Sequence, residues 1–290
     1  MYEAFFGLAE KPFSLLPNTG FLVPLAPHRG CLNLLRVALA EGEGFVKVSG
    51  EVGTGKTLLC RALLNQLDPA HHALAWLPEP PDGPLALRRA LAAELGVAEA
   101  VDGDDFALFA ALQARLIALA GEGRPCVLLI DEAQTLSRET LEALRLLTNL
   151  ETERQKLLQV VLFGQPELDT LLARDDLRQL RQRITFAYRL MPLDAGEVAH
   201  YLNERLALAG YAGGGLFEAA AVRLLARGSG GVPRLVNILA HKALMVAFGE
   251  GRRWVERRHV EAALVDTEQA RPVGFDWRRP FAGLGGRRSA

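Results

Sequence analysis

The sequence predicts an α/β fold, a parallel sheet covered by helices, followed by an all-helical module. Three observations predict it. Strand-like apolar runs alternate with longer helical patterns through the first two-thirds of the 290 residues, the grammar of a helix-covered parallel sheet. The first of those runs feeds a glycine-rich loop that opens a helix. After Pro192 no convincing strand follows, and the pattern becomes amphipathic helices separated by glycine clusters.

Taken in order, strands are expected at Phe45–Ser49, Ala73–Leu77, Cys126–Asp131, Leu157–Phe163 and Thr185–Leu190. Helices are expected between them, at Lys56–Leu67, Leu85–Leu95, Phe106–Leu119 and Arg138–Leu150. The Pro78-Glu-Pro-Pro-Asp-Gly-Pro84 stretch cannot continue a central strand and reads as a loop. Beyond Pro192, helices are expected at Ala195–Ala209, Leu216–Ala226, Pro233–Phe248 and Glu256–Asp266, separated by the glycines of 210–215 and 228–231. The plan is therefore an N-terminal segment and α/β core over 1–192, a helical module over 193–268 and a tail over 269–290. From Arg271 onward the chain carries five Arg against one Asp with no apolar period, and it is expected to be mobile.

Composition narrows the function classes. Half of the residues are hydrophobic and 23% are charged, which excludes a disordered or fibrous chain. Lys+Arg is 33 against Asp+Glu 34, so no global basic field drives binding to nucleic acid. The lysines are only Lys11, Lys47, Lys56, Lys156 and Lys242, so each one carries more information than any single arginine. Cys31, Cys60 and Cys126 form no C-x-x-C pair and read as buried hydrophobes in a reducing compartment. The N-terminus lacks the basic and apolar regions of a signal peptide, and no apolar run approaches the roughly 18 residues of a membrane span. A cytoplasmic protein is expected, with any membrane association coming through partners or through the Arg-rich tail at an anionic surface.

The strongest signal is Gly50-Glu51-Val52-Gly53-Thr54-Gly55-Lys56-Thr57-Leu58, which holds a full G-x-x-x-x-G-K-[ST] match. Glycines let the backbone wrap closely, so that N–H groups and a helix N-terminus point at phosphate oxygens. Lys56 would neutralise β- and γ-phosphates, and the Thr57 hydroxyl would take a Mg²⁺ position. A neighbouring buried strand should supply the metal carboxylate, and Cys126-Val-Leu-Leu-Ile-Asp131-Glu132 ends in two acids. Asp131 would hold Mg²⁺ and Glu132 would polarise the attacking water, so ATP hydrolysis is expected rather than binding alone. The scattered histidines predict no further metal.

With these motifs in hand, the chain resembles the AAA+ ATPases, which implies a P-loop NTPase core with a C-terminal helical lid. The resemblance implies that Gln165, ending the strand after the acid pair, contacts the γ-phosphate or water, although the family more often has Asn, Thr or Ser there. It implies that an arginine before the fifth strand reaches a neighbouring subunit's nucleotide; Arg183 is favoured, with Arg181 as its rival and Arg178 nearby. Gly231-Val-Pro233-Arg234 is similar to the lid motif, which implies that Arg234 contacts the γ-phosphate.

A closer resemblance covers about residues 2–268. Phe6-Gly7-Leu8, Lys11-Pro12-Phe13, His28, the run from Gly42 through Thr57, Asp131-Glu-Ala-Gln134, Leu144-Arg-Leu-Leu-Thr-Asn-Leu-Glu151 and Phe163-Gly-Gln-Pro-Glu-Leu168 look like the ExeA/GspA-type secretion ATPases. The tracts over 177–190 and 234–264 look most like the MshM branch, ATPases of MSHA-type (type IV) pilus biogenesis. This resemblance implies a self-associating ATPase, partnered by inner-membrane pilus or secretion assembly proteins, with its N-terminal segment near the adenine. ExeA-like proteins continue into a membrane span and a peptidoglycan-binding region; neither is expected here. A DNA-remodelling regulator of the transposition or replication-initiator kind shares the core motifs. No dedicated nucleic-acid domain is expected, and the net charge is −1. A nucleotide-gated module that does not hydrolyse is opposed by the complete Lys56, Thr57, Asp131 and Glu132 set.

Overall fold

The computed structural model of the chain describes residues 2–97, 104–152 and 155–272. Helix α1 (Tyr2–Phe6) comes first. The α/β elements follow as α2 (Ala26–Ala40), β1 (Phe45–Gly50), α3 (Lys56–Gln66), β2 (Ala73–Leu77), α4 (Pro84–Glu94), α5 (Asp105–Gly121) and β3 (Cys126–Ile130). They continue as α6 (Arg138–Leu147), β4 (Leu158–Gly164), α7 (Glu167–Leu172), α8 (Arg178–Arg181) and β5 (Ile184–Leu190). The helical elements are α9 (Ala195–Leu208), α10 (Ala219–Ser229), α11 (Pro233–Gly249) and α12 (Arg257–Val265). Most of the Arg-rich tail, from residue 273, lies outside the described residues.

The chain divides into two units, one of Leu15–Pro192 and one of the N-terminal segment to Ser14 together with the chain from Leu193. In the first, all strand pairs are parallel and the order is β2-β3-β4-β1-β5. Period-two alternation sorts the side chains onto two faces. Val127, Leu129, Val161 and Phe163 pack with Leu35 of α2 and Leu59 and Leu63 of α3. Cys126, Leu128, Ile130, Val160 and Leu162 pack with Leu91 of α4, Leu112 of α5 and Leu144 of α6. Strands β3 and β4 are buried throughout, as expected of central parallel strands covered on both faces. Chain order reverses around β1, so the carboxyl ends of β1, β3 and β4 open together on a crevice of the kind in which α/β sheets bind ligands.

All three cysteines are buried free thiols. Burial pushes the Cys31 and Cys126 thiols up to about 12, which keeps them inert packing groups. Helix α2 was not among the helices expected from the sequence. Pro27 falls in its first turn, where no backbone donor is needed. Gly30 makes room for Tyr188, whose hydroxyl would stand 2.8 Å from a Cβ there and donates to the Pro27 carbonyl at 2.9 Å.

Two expectations for the second unit need correction. The N-terminal segment, assigned by sequence to the ATPase core, packs with the helical unit. The Tyr2 hydroxyl bonds His241 Nδ1 at 2.9 Å, the Ala9 amide donates to the Ala209 carbonyl at 2.8 Å, and buried Arg205 donates to the Pro12 carbonyl at 2.6 Å. The helix expected at Leu216–Ala226 begins at Ala219 instead. Leu216 and Glu218 exchange backbone hydrogen bonds with Val255, and this pairing keeps Phe217 extended. Among the described residues, no helix is long and apolar enough to cross a membrane.

Candidate nucleotide site

The loop after β1 takes backbone conformations that require glycine at two points, with φ +83° at Gly53 and +99° at Gly55. At Gly50, a side chain would bring a Cβ within 2.9 Å of Leu190 Cβ, so β1 ends pressed against β5. Thr54 is buried, and its hydroxyl donates to the Glu51 carbonyl at 2.8 Å. Lys56, also buried, donates to the carbonyls of Gly50 at 2.7 Å and Glu51 at 3.1 Å. Burial lowers its pKa against the opposing pull of Glu132, Asp131, Glu51 and Glu167. Glu51 and Val52 point outward, and Leu58 is half-buried on the first turn of α3.

His28 of α2 was quoted only as part of a resembling tract, and the structure gives it a role in the loop. It is buried, and its Nε2–H donates to the Thr54 carbonyl at 3.1 Å. A Cβ at Gly55 would lie 3.3 Å from that nitrogen. Removing one partner of a buried hydrogen bond costs about 1–3 kcal/mol. His28→Ala is therefore expected to weaken nucleotide binding about tenfold, measured by titration with a fluorescent nucleotide, with the helical unit's melting unchanged.

Opposite the loop, Thr57 donates to Asp131 Oδ2 at 2.6 Å, and the Glu132 amide donates to Asp131 Oδ1 at 2.9 Å. One carboxylate thus ties the start of α3 to the turn after β3. Burial raises the Asp131 pKa, against the hydrogen bonds from Thr57 and Glu132. Among the described non-glycine residues, Glu132 alone has a positive φ, +50°, a conformation costing about 1–3 kcal/mol that packing must hold in place. Its Oε2 accepts from Gln134 Nε2 at 2.7 Å and from Gln165 Nε2 at 3.1 Å. Burial pushes the Glu132 carboxyl up, but these two amides and the Lys56 charge outweigh it and hold its pKa below the ordinary value.

The structure therefore brings Lys56, Thr57, Asp131, Glu132 and Gln165 to one place, and it adds Gln134, quoted from the sequence only as the end of a resembling tract. Asp169 of α7 was also missed. It takes a salt bridge from Lys47 and a hydrogen bond from Ser49 at 3.1 Å, fixing α7 against β1. The pairing could not be read from sequence, because 120 residues separate Ser49 from Asp169. Arg183 is half-buried at the foot of β5, and exposed Arg181 donates to the Ala173 carbonyl at 3.0 Å. Arg234 is exposed on the first turn of α11 in the helical unit.

Thr57 and Asp131 offer two hard oxygen donors at the mouth of the loop. Among the described residues, no three His, Cys, Asp or Glu side chains gather as a metal cage. This donor set fits Mg²⁺, which binds through one or two carboxylates and completes its shell with phosphate oxygens and water.

The sheet order and the loop match the P-loop AAA+ fold. Residues 39–172 match the AAA domain family. Over 274 residues, 94% of this chain and 50% of the other, the chain is 42% identical to General secretion pathway protein A of Aeromonas hydrophila. It thus spans about half the length of that relative. Among solved structures it is similar to the ORC2 protein of Aeropyrum pernix, crystallised as ADPNP-ADP complexes (TM-score 0.67, 17% identity, 89% of this chain and 72% of that one). It is also similar to Cdc6p of Pyrobaculum aerophilum (TM-score 0.66, 19% identity, 87% and 69%).

Proposed function

We propose that the protein is an AAA+ ATPase that couples ATP binding and hydrolysis to the assembly of an envelope machine, a secretion apparatus or an MSHA-like type IV pilus. The single observation carrying the catalytic part is the joined set Thr57–Asp131–Glu132–Gln165 facing the loop of Lys56. Backbone N–H groups of 53–57 and the start of α3 bind the phosphates, and Lys56 leaves its loop carbonyls for the β- and γ-phosphate oxygens. Mg²⁺, held by Thr57 and Asp131, would neutralise phosphate charge when bound. Glu132, ionised at neutral pH, orients the attacking water and accepts its proton, and Gln165 fixes that carboxylate and reaches the same water. The secretion part rests on the 42% identity to the Aeromonas protein, and the pilus part on the tracts over 177–190 and 234–264. Work from the cytoplasmic side with inner-membrane assembly proteins belongs to the same reading.

Completion of the site by a neighbouring copy also follows. Strand β5 starts with Ile184 beside Phe45 and ends with Leu190 beside Gly50, so Arg183 lies a strand length, about 20 Å, from its own loop. A second subunit therefore supplies the arginine. Arg183→Ala mixed with Lys56→Ala is expected to restore part of the turnover that each lacks alone, read as phosphate release over a titration of the mixture. Turnover by Arg183→Ala at the unmutated rate, or a mixture no better than its parts, contradicts the arrangement. In cells, loss of pili or of secretion with Lys56→Ala tests the coupling.

A further inference from the structure

The proposed reaction needs the Glu132 carboxylate in one orientation, yet Glu132 sits on a strained turn with a positive φ. One side chain bonds both to that carboxylate and to the neighbouring strand end. Gln134 Nε2 donates to Glu132 Oε2 at 2.7 Å, and Gln134 Oε1 accepts the backbone N–H of Gln165 at 2.9 Å. Both ends of a single amide are used, which fixes its orientation; reversed, it would set oxygen against carboxylate and N–H against N–H. Gln165 Nε2 then reaches the same Oε2 at 3.1 Å. Room for the amide depends on Gly164, where a Cβ would stand 3.2 Å from Gln134 Oε1 and 2.7 Å from Leu168 Cδ2.

We propose that Gln134 is a positioning residue for hydrolysis: its amide locks the Glu132 carboxylate to the end of β4, in register with Gln165. This rests on the reading of Glu132 as the group that activates water. Both amides bond Oε2, so Oε1 remains the oxygen to accept a proton. Neither Asn, one methylene shorter, nor Glu, which lacks the donor, can bridge both partners.

The test compares Gln134→Met and Gln134→Glu with Glu132→Gln in the full chain. Gln134→Met is expected to lower kcat about 10- to 100-fold, the scale on which a misplaced catalytic group loses rate. KM and nucleotide affinity stay within about twofold. Gln134→Glu, of the same shape but without the donor, shows the same loss of kcat at an unchanged KM. In the unmutated protein, the Gln134 side-chain amide resonance, assigned by its loss in Gln134→Met, should report the hydrogen bond to Glu132 Oε2. That resonance should move in Glu132→Gln, an outcome that needs no turnover to read. A silent Glu132→Gln together with an unchanged kcat in Gln134→Met overturns this inference and leaves the proposed reaction standing. Intact turnover in Glu132→Gln overturns the reaction itself.

Discussion

Glu132→Gln is expected to bind ATP and fail to hydrolyse it. The replacement has the same shape, and its amide oxygen can still take a hydrogen bond from Gln134 or Gln165, so the turn after β3 is kept. What it loses is the ability to accept a proton. General-base catalysis of this kind contributes about 10²- to 10⁴-fold, so turnover should fall by that factor while nucleotide affinity changes only a few-fold. Fluorescent-nucleotide titration and phosphate release, run on the same preparation, separate the two effects. Lys56→Ala should instead lose binding, because its ammonium is the buried cation at the loop. If Glu132→Gln turned over at the unmutated rate, the carboxylate would have to be assigned to the structure of the turn alone.

The second large effect is expected at Gly231, in the helical unit. Its φ is +74°, and an added Cβ would stand 1.9 Å from the Leu193 carbonyl oxygen. No flexible side chain is involved, so the backbone itself must move. The Leu193 amide donates to the Gly231 carbonyl at 2.9 Å, and the Gly231 amide donates to Ser229 Oγ at 3.2 Å. The turn thereby pins Leu193, where the chain re-enters the unit, beside the start of α11, two residues from Pro233 and three from Arg234. A positive φ at a non-glycine residue costs about 1–3 kcal/mol, and forcing in a methyl group costs a similar amount. At roughly 4–8 °C per kcal/mol for a unit of this size, Gly231→Ala should lower its melting temperature by about 10 °C or more. Calorimetry of the full chain reads this. Unaltered melting would show that the turn yields easily.

The two sites differ in how far the sequence disclosed them. The loop was legible because each of its functions demands a residue type at a fixed step: glycine at 53 and 55 for left-handed backbone, Lys56 for charge and Thr57 for a hydroxyl. Asp131 and Glu132 were legible because the acid pair ends an apolar strand that follows an intact phosphate loop in strand–helix order. Gly231 stood in a motif, but the carbonyl that excludes a side chain there comes from Leu193, 38 residues earlier (231 − 193). Partners of that kind stay hidden. The same reason concealed His28 beneath Thr54, and Asp169 with Lys47 and Ser49, pairs joined only when the sheet places β1 next to β4 and α2 against the loop.

Helix limits followed local chemistry where a cap was present. Ser137 accepts from the Thr140 amide at 3.1 Å and fixes the start of α6 at Arg138. Asp194 and Glu197 form a capping box that fixes α9 at Ala195. Where tertiary pairing competed, local pattern lost. Leu216 and Phe217 are helix-compatible residues drawn into a bridge with Val255. The N-terminal segment, whose Phe6, Leu8 and Phe13 carry no mark of which unit they join, is buried with the helical unit.

As proposed, the loop of Lys56 and the acid pair after β3 make a Mg²⁺-dependent ATP hydrolysis site. Phosphate release from ATP by the unmutated chain and by Lys56→Ala, over rising protein concentration with Mg²⁺ or with chelator, tests it most directly. Release should need Mg²⁺, grow more than proportionally with protein concentration as neighbouring copies supply Arg183, and disappear in Lys56→Ala. Release that persists in Lys56→Ala or in chelator, or no release by the unmutated chain at any concentration, would contradict it.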